Sequence, residues 1–237
     1  PNETQDVLKL AACIGHQFDL DTLAIIHDKS PIETATSLWK SLQEGLVLPT
    51  TEIYKFFTVN SVNSNSPSST EEKFRQLPIP NPQFSMPLCA ACMLREQQSP
   101  SYKFLHDRVQ QAAYFLIPED QKQLTHLTIG QLLLKNIPTA EREEKIFDIV
   151  NQLNYGLELI TDLPQRDELA QLNRIAGEKA KAATAYGAAF NYLTVGLELL
   201  GENSWQRQYD LTLALYQAAA EAAYLNTDFE QMEQLVM

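Results

Sequence analysis

Apolar positions mark the elements of this chain before any motif does. From Thr4 to Ile14, the residues Val7, Leu10, Ala11 and Ile14 recur on one helical face, and Gly15 supplies a stop. Phe18-Asp19-Leu20 reads as a short extended link, after which Asp21 can cap a helix running through His27, with Leu23, Ile26 and His27 inward. Ser30-Pro31-Ile32-Glu33 places a serine at the N-cap, proline in the first turn and glutamate at the third helical position, the start of a capping box. Ala35, Leu38, Trp39 and Leu42 form the buried stripe of that third helix, and Gly45 ends it. Leu46 to Pro49 predicts a strand, and Tyr102 to Leu105 a strand returning to it. Three helices and a strand, answered by a second strand, follow the order of a winged-helix domain.

At His106-Asp107 the period changes from strand to helix. Asp107 suits an N-cap, Gln110 lies three residues on, and Val109, Ala112, Ala113 and Leu116 follow at helical spacing. Phe104, His106, Asp107 and Tyr114 are therefore the residues expected to tie the strand to its helix. Pro118, with Glu119 and Asp120 behind it, opens a further helix to about Leu134.

Beyond that point the pattern is helical throughout. It predicts helices over Ala140 to Leu153, Tyr155 to Ile160, Gln165 to Ala185, Gly187 to Leu200 and Ser204 to Leu225. In the third of these, Leu169, Leu172, Ala176, Ala180 and Ala183 share a face, as Trp205, Tyr209, Thr212, Tyr216, Ala219 and Ala223 do in the last. Thr184-Ala185-Tyr186 opens a helix as Thr227-Asp228-Phe229 does 43 residues later, a period that suits two-helix repeats. Small residues (Ala182, Ala183, Ala188, Ala189, Ala219, Ala220) are expected to let paired helices approach. Tyr186, Tyr192 and Phe229 are expected to fill the gaps, with Trp205 and Tyr216 packing the next unit. The array resembles tetratricopeptide repeats of somewhat long period.

The fold class expected is mainly α: a winged-helix domain over 1–117 with an irregular insertion at about 50–100, connecting helices over 118–162, and tetratricopeptide-like repeats over 163–237. Asn60 to Thr70 is rich in Ser and Asn, and Leu77 to Pro87 carries four prolines, so the insertion is expected to be irregular. The chain lacks an initiating Met and its helical pattern still runs at Met237, which predicts a piece of a longer protein. Phe229, Met232, Leu235 and Val236 form an apolar face that predicts a following helix.

Charge narrows the partners. A formal net charge of −12 over 237 residues opposes a nucleic-acid backbone. The third helix of the winged-helix order sets Glu33 and Glu44 against Lys40 and offers no Arg to read bases. No apolar run approaches the roughly 18–20 residues that span a bilayer, so no membrane partner is expected. Three cysteines suggest no disulfide framework, and a reducing cytoplasm is the expected compartment.

Candidate chemistry is sparse. His16, His27-Asp28, His106-Asp107 and His126 contain the residue types with which metal-dependent phosphohydrolases activate water. Yet the two His-Asp steps sit at the end of one helix and the start of another, Asp107 already serves as a cap, and nothing in the sequence brings the four His together, so a structural role is expected. Cys89 and Cys92 have half of a zinc-knuckle spacing with no second pair. The chain contains no G-x-x-x-x-G-K-[ST] phosphate loop, no G-x-S-x-G elbow and no kinase signature. Catalytic, cofactor-binding and metal-binding residues are therefore all expected to be absent, and no cofactor is expected in this segment.

Three stretches carry a resemblance: TQDVLKLAACIGHQFDL near the start, YKFLHDRVQQAAY at the junction, and AGEKAKAATAYGAAFNYLTVGLELL later. They look like the segment that follows the ATPase module in STAND-type signalling ATPases, most of all in the multi-domain serine/threonine kinases and multi-sensor histidine kinases of cyanobacteria. The resemblance implies a non-catalytic segment whose parent carries kinase and ATPase activity. Its implied partners are the parent's own ATPase, sensor and kinase domains, with a peptide or protein in the repeat groove. The alternatives are a free-standing repeat adaptor and, built on the His and Asp residues, a metal-dependent phosphohydrolase.

Overall fold

Phe18 lies in a strand rather than a link. β1 (Gln17–Asp19) pairs antiparallel with β3 (Ser101–Phe104), setting Phe18 opposite Tyr102, and β2 (Val47–Pro49) pairs with the other edge of β3, setting Val47 opposite Phe104. The sheet order is thus β1-β3-β2, with the strand from latest in the sequence at its centre. The computed structural model describes residues 2–50 and 99–236, so the expected insertion at about 50–100, including Cys89 and Cys92, falls almost wholly outside the described residues. Two units divide the chain, Pro1–Tyr114 and Phe115–Met237. The second takes in the helices of 118–162 together with those of 163–237.

In the first unit α1 (Asn2–Ile14), α2 (Leu20–His27), α3 (Pro31–Gln43) and α4 (Asp107–Phe115) accompany the sheet. Its core joins Val7, Ala11, Leu20, Leu23 and Leu38 to Phe18, Tyr102 and Phe104, all at most 3% exposed. The Phe18 ring lies 6.0 Å from that of Tyr102 and 5.7 Å from that of Phe104. Cross-strand aromatic pairs of this kind add directional contact to the area they bury.

Local signals set the helix ends, with two corrections. The cap of α2 is Asp19, not Asp21: its Oδ1 accepts from the Thr22 N–H at 2.7 Å, because β1 delivers Asp19 in extended conformation. Asp107 is the first residue of α4 rather than the residue before it, and the His106 carbonyl accepts from the N–H groups of Val109 and Gln110. Along α4, Ala113 is buried, whereas Ala112 and Leu116 are exposed, against the stripe expected. The capping box at Ser30 and Glu33 forms as the sequence indicates. In α3 the buried positions include Thr34 and Ser41, whose hydroxyls meet His27 Nδ1 and the Leu38 carbonyl.

The second unit is helical: α5 (Glu119–Asn136), α6 (Thr139–Arg142), α7 (Ile146–Tyr155), α8 (Leu163–Ala182), α9 (Tyr186–Leu200), α10 (Ser204–Arg207), α11 (Tyr209–Leu225) and α12 (Phe229–Val236). With the first unit, this makes twelve α-helices and three short strands among the described residues, a mainly helical chain. Two helices expected to be continuous are broken. The stretch 140–153 turns between α6 and α7, where Lys179 Nζ donates to the carbonyls of Glu143 and Glu144. The stretch 204–225 breaks at Gln208 (φ −138°), whose side chain donates to Asp167 on α8. At the first break the Lys179 side chain takes up backbone carbonyls that the turn leaves exposed; at the second the contact is between side chains.

α8 begins earlier than expected, with Asp162 as its cap and Pro164 in its first turn. Its buried face carries Leu169, Leu172, Ala176 and Ala180, while Ala183 lies exposed past the helix end.

The 43-residue period is visible in the backbone. At the end of α8 the N–H groups of Ala183, Thr184 and Ala185 donate to the carbonyls of Lys179, Lys181 and Ala180. At the end of α11 those of Asn226, Thr227 and Asp228 donate to Ala222, Tyr224 and Ala223, each 43 positions on. Thr184 and Thr227 both take left-handed backbone, with φ of 60° and 62°. The turns joining α8 to α9 and α11 to α12 therefore share one geometry.

Candidate functional site

Helices of the second unit approach closely where a glycine on one receives a leucine from the next. A Cβ at Gly130 on α5 would lie 2.6 Å from Leu153 on α7, and one at Gly177 on α8 would lie 2.5 Å from Leu193 on α9. Gly196 on α9 repeats the arrangement, 2.8 Å from Leu215 on α11. No side chain larger than hydrogen fits these positions without movement of the leucine. A glycine inside a helical pattern is the sequence signal that could have revealed them.

The polar seams are as specific. Asn154 on α7 and Asn173 on α8 exchange amide hydrogen bonds at 2.8 and 2.9 Å, and Asn173 is fully buried. Arg166 reaches the C-terminal end of α9, donating Nε to the Leu199 carbonyl at 2.9 Å and Nη2 to that of Glu198 at 3.1 Å. Asp167 receives the guanidinium of Arg207 and the Gln208 amide. His126 on α5 is 6% exposed; its Nδ1 donates to Gln152 Oε1 on α7 at 2.6 Å, and its ring stacks 4.1 Å from that of Tyr155. Burial holds this imidazole below its ordinary pKa, with Lys122 adding to the effect and the Gln152 bond opposing it. Lys122 is itself buried, ion-paired with Glu119, and sits over the Phe115 ring.

The expected packing residues are distributed unevenly. Ala189 is fully buried. Tyr192 bridges α9 to α7, donating its hydroxyl to Asn151 at 2.8 Å beside the Phe147 ring. Trp205 stacks on Tyr216 at 5.3 Å and lies 5.6 Å from Tyr209. Tyr186 is half-buried, and Phe229 is 53% exposed, with its ring 5.9 Å from that of Tyr224 on α11 in an edge-on arrangement. Among the small residues, Ala189 and Ala219 are buried, but Ala182, Ala183 and Ala188 are exposed. Glycines and leucines close the helix contacts that these alanines were expected to close.

At the junction, Phe104 is fully buried, Tyr114 packs at the edge of the first core, and His106 is exposed. Asp107 faces His16, Oδ1 to Nδ1 at 3.1 Å. His27 meets Thr34 and His126 meets Gln152, so His16, His27 and His126 each have a different neighbour. Among the described residues no three His, Cys, Asp or Glu side chains gather in a group able to hold a metal ion.

Two surface cavities flank α8. One cavity of about 590 Å³ opens between α8 and α11, lined by residues including Glu168, Gln171, Asp210 and Leu211. A second of about 390 Å³ opens between α5 and α8, lined by residues including Gln131, Lys135, Arg142 and Glu168. Glu168 borders both, and Leu127, Leu134, Leu153, Ile160, Leu169 and Leu172 give the smaller one a largely apolar wall. Among the described residues no helix is long and apolar enough to cross a membrane.

The chain is similar to a hybrid signal transduction histidine kinase G of Dictyostelium discoideum, 28% identical over 258 aligned residues. The alignment covers 99% of the chain and 7% of that relative's length. No family model matches the chain, and no solved structure matches it.

Proposed function

We propose that the chain is a non-catalytic regulatory and interaction segment of a large cytoplasmic signal-transduction kinase, coupling a neighbouring ATPase module to downstream sensor and kinase domains. The observation that carries this reading is the alignment: nearly the whole chain resembles a small fraction of a signal transduction histidine kinase. The first unit, four helices with a small antiparallel sheet, is read as a winged helix that docks on the ATPase. The second, with its hairpins in 43-residue register, is read as a tetratricopeptide-like array that receives the signal. The parent kinase acts on serine/threonine or on histidine, and the cyanobacterial kinases are the family proposed for it. The absence of a phosphate-loop sequence supports a segment that borrows nucleotide chemistry from its neighbour.

The two cavities that flank α8 leave room for a peptide or protein partner held by the array, which a free-standing adaptor would share. A test separates the two readings. In the intact signalling protein, Gly177→Val should change how autophosphorylation responds to ATP turnover by the neighbouring module, while the 237-residue chain alone neither binds nor hydrolyses ATP. Unaltered coupling in the folded variant would favour the adaptor, and ATP hydrolysis by the isolated chain would overturn the non-catalytic reading.

A further inference from the structure

The smaller cavity joins an apolar wall to a charged rim. Leu127 on α5, Leu153 on α7, Ile160 in the link that follows, and Leu169 and Leu172 on α8 line it, each at most 8% exposed. The half-buried Leu134 stands beside them. Aliphatic walls offer water few hydrogen bonds and gain dispersion contact from an apolar body placed against them. The volume, about 390 Å³, falls within the roughly 300–1,000 Å³ of small-molecule sites.

Two cations stand on the rim. Arg142 donates Nε to the Ile137 carbonyl at 3.1 Å and Nη2 to that of Leu134 at 2.7 Å, which holds the guanidinium at the end of α5 with its charge kept. Lys135 is exposed and has no ion pair among the described residues. Among the described residues that line the cavity, Glu168 on α8 is the one carboxylate, so the rim carries two positive charges against one negative.

We infer that this cavity binds a small amphipathic carboxylate, with its aliphatic body against the leucines and its carboxylate on Lys135 and Arg142. A polar acid forgoes the apolar wall, and an aliphatic amine brings a third positive charge to the rim. α5 and α8 each pack on α7. A ligand in the cavity touches all three helices, so its binding stabilises the start of the array. The site goes beyond the coupling reading and would stand equally in an adaptor.

The test is isothermal titration calorimetry of the whole chain with hexanoate, octanoate, octylammonium and octanol. Octanoate should bind at least about tenfold more tightly than octylammonium, and hexanoate should lose about threefold for each methylene it lacks. Lys135→Glu should abolish the preference for octanoate over octylammonium and leave octanol binding unchanged. Leu134→Trp adds bulk at the wall and should weaken octanoate and octanol alike by at least about tenfold, with circular dichroism as the folding control. Lys135 is exposed, so its variant still decides the matter if Leu134→Trp disturbs the fold. Octylammonium or hexanoate bound as tightly as octanoate would overturn the inference. So would octanoate binding that neither substitution changes, or no binding of octanoate at all. None of these outcomes bears on the coupling reading, which the autophosphorylation response tests separately.

Discussion

The two units are held together in different ways. The first closes through contacts distant in sequence: Phe18 reaches Tyr102 and Phe104 only because β3 enters between β1 and β2. The second is assembled from neighbours, α5 against α7, α8 against α9 and α9 against α11, each contact seated on a glycine. Closing distant contacts costs loop entropy before the core repays it, whereas a hairpin array adds its contacts one unit at a time. The first unit should therefore respond to damage as a whole, and the second by segments.

The largest expected effect tests that contrast directly. Phe104→Ala removes a fully buried ring from the meeting point of the three strands and should cost about 3–5 kcal/mol. Amide exchange should then accelerate throughout α1–α3 while α8 and α9 keep their protection. Equal acceleration in both units would show that they unfold together.

Gly177→Val comes next. Its added carbons meet Leu193, and overpacking of this kind should cost about 1–3 kcal/mol, with the exchange increase concentrated in α8 and α9. A loss of protection as large in α5 would contradict segmental behaviour.

The twin turns sharpen the comparison further. Thr184 and Thr227 are β-branched residues in left-handed backbone, so Thr→Gly at either should raise stability by about 0.5 kcal/mol in thermal or denaturant unfolding. Similar gains at both positions would support equivalence of the hairpins; opposite signs would argue against it.

Asp107→Ala should have the smallest effect of the substitutions. The His16–Asp107 pair is largely exposed and should contribute about 0.5 kcal/mol or less, because water screens it. A loss several times greater would mean that Asp107 holds α4 in some stronger way.

Acid supplies a further comparison. Burial lowers the pKa of both His126 and His27, so the unfolded chain takes up their protons first as pH falls. Stability should decline from about pH 6.5, the ordinary imidazole value, downward to the lowered folded-state values. His126→Gln should flatten that part of the melting-temperature profile, and an unchanged profile would dismiss His126 as a contributor.

Most helices were legible in the sequence because their signals are local: the capping box at Ser30 and Glu33, the stripe of Leu169, Leu172, Ala176 and Ala180, and the Thr184 and Thr227 turns 43 residues apart. The mainly helical class follows from these alone. The strand at Phe18 was not legible, since three residues carry no periodicity and its partner lies beyond residue 100. The breaks at 143–145 and 208 coincide with hydrogen bonds to Lys179 and Asp167, side chains from another helix. The two cavities, too, take lining residues from α5, α8 and α11, and Glu168 borders both only in the folded array. Caps, stripes and turns are contests among residues a few positions apart, which the sequence decides by itself. Pairing, helix breaks and site geometry depend on which distant side chains arrive, and only the tertiary structure decides that.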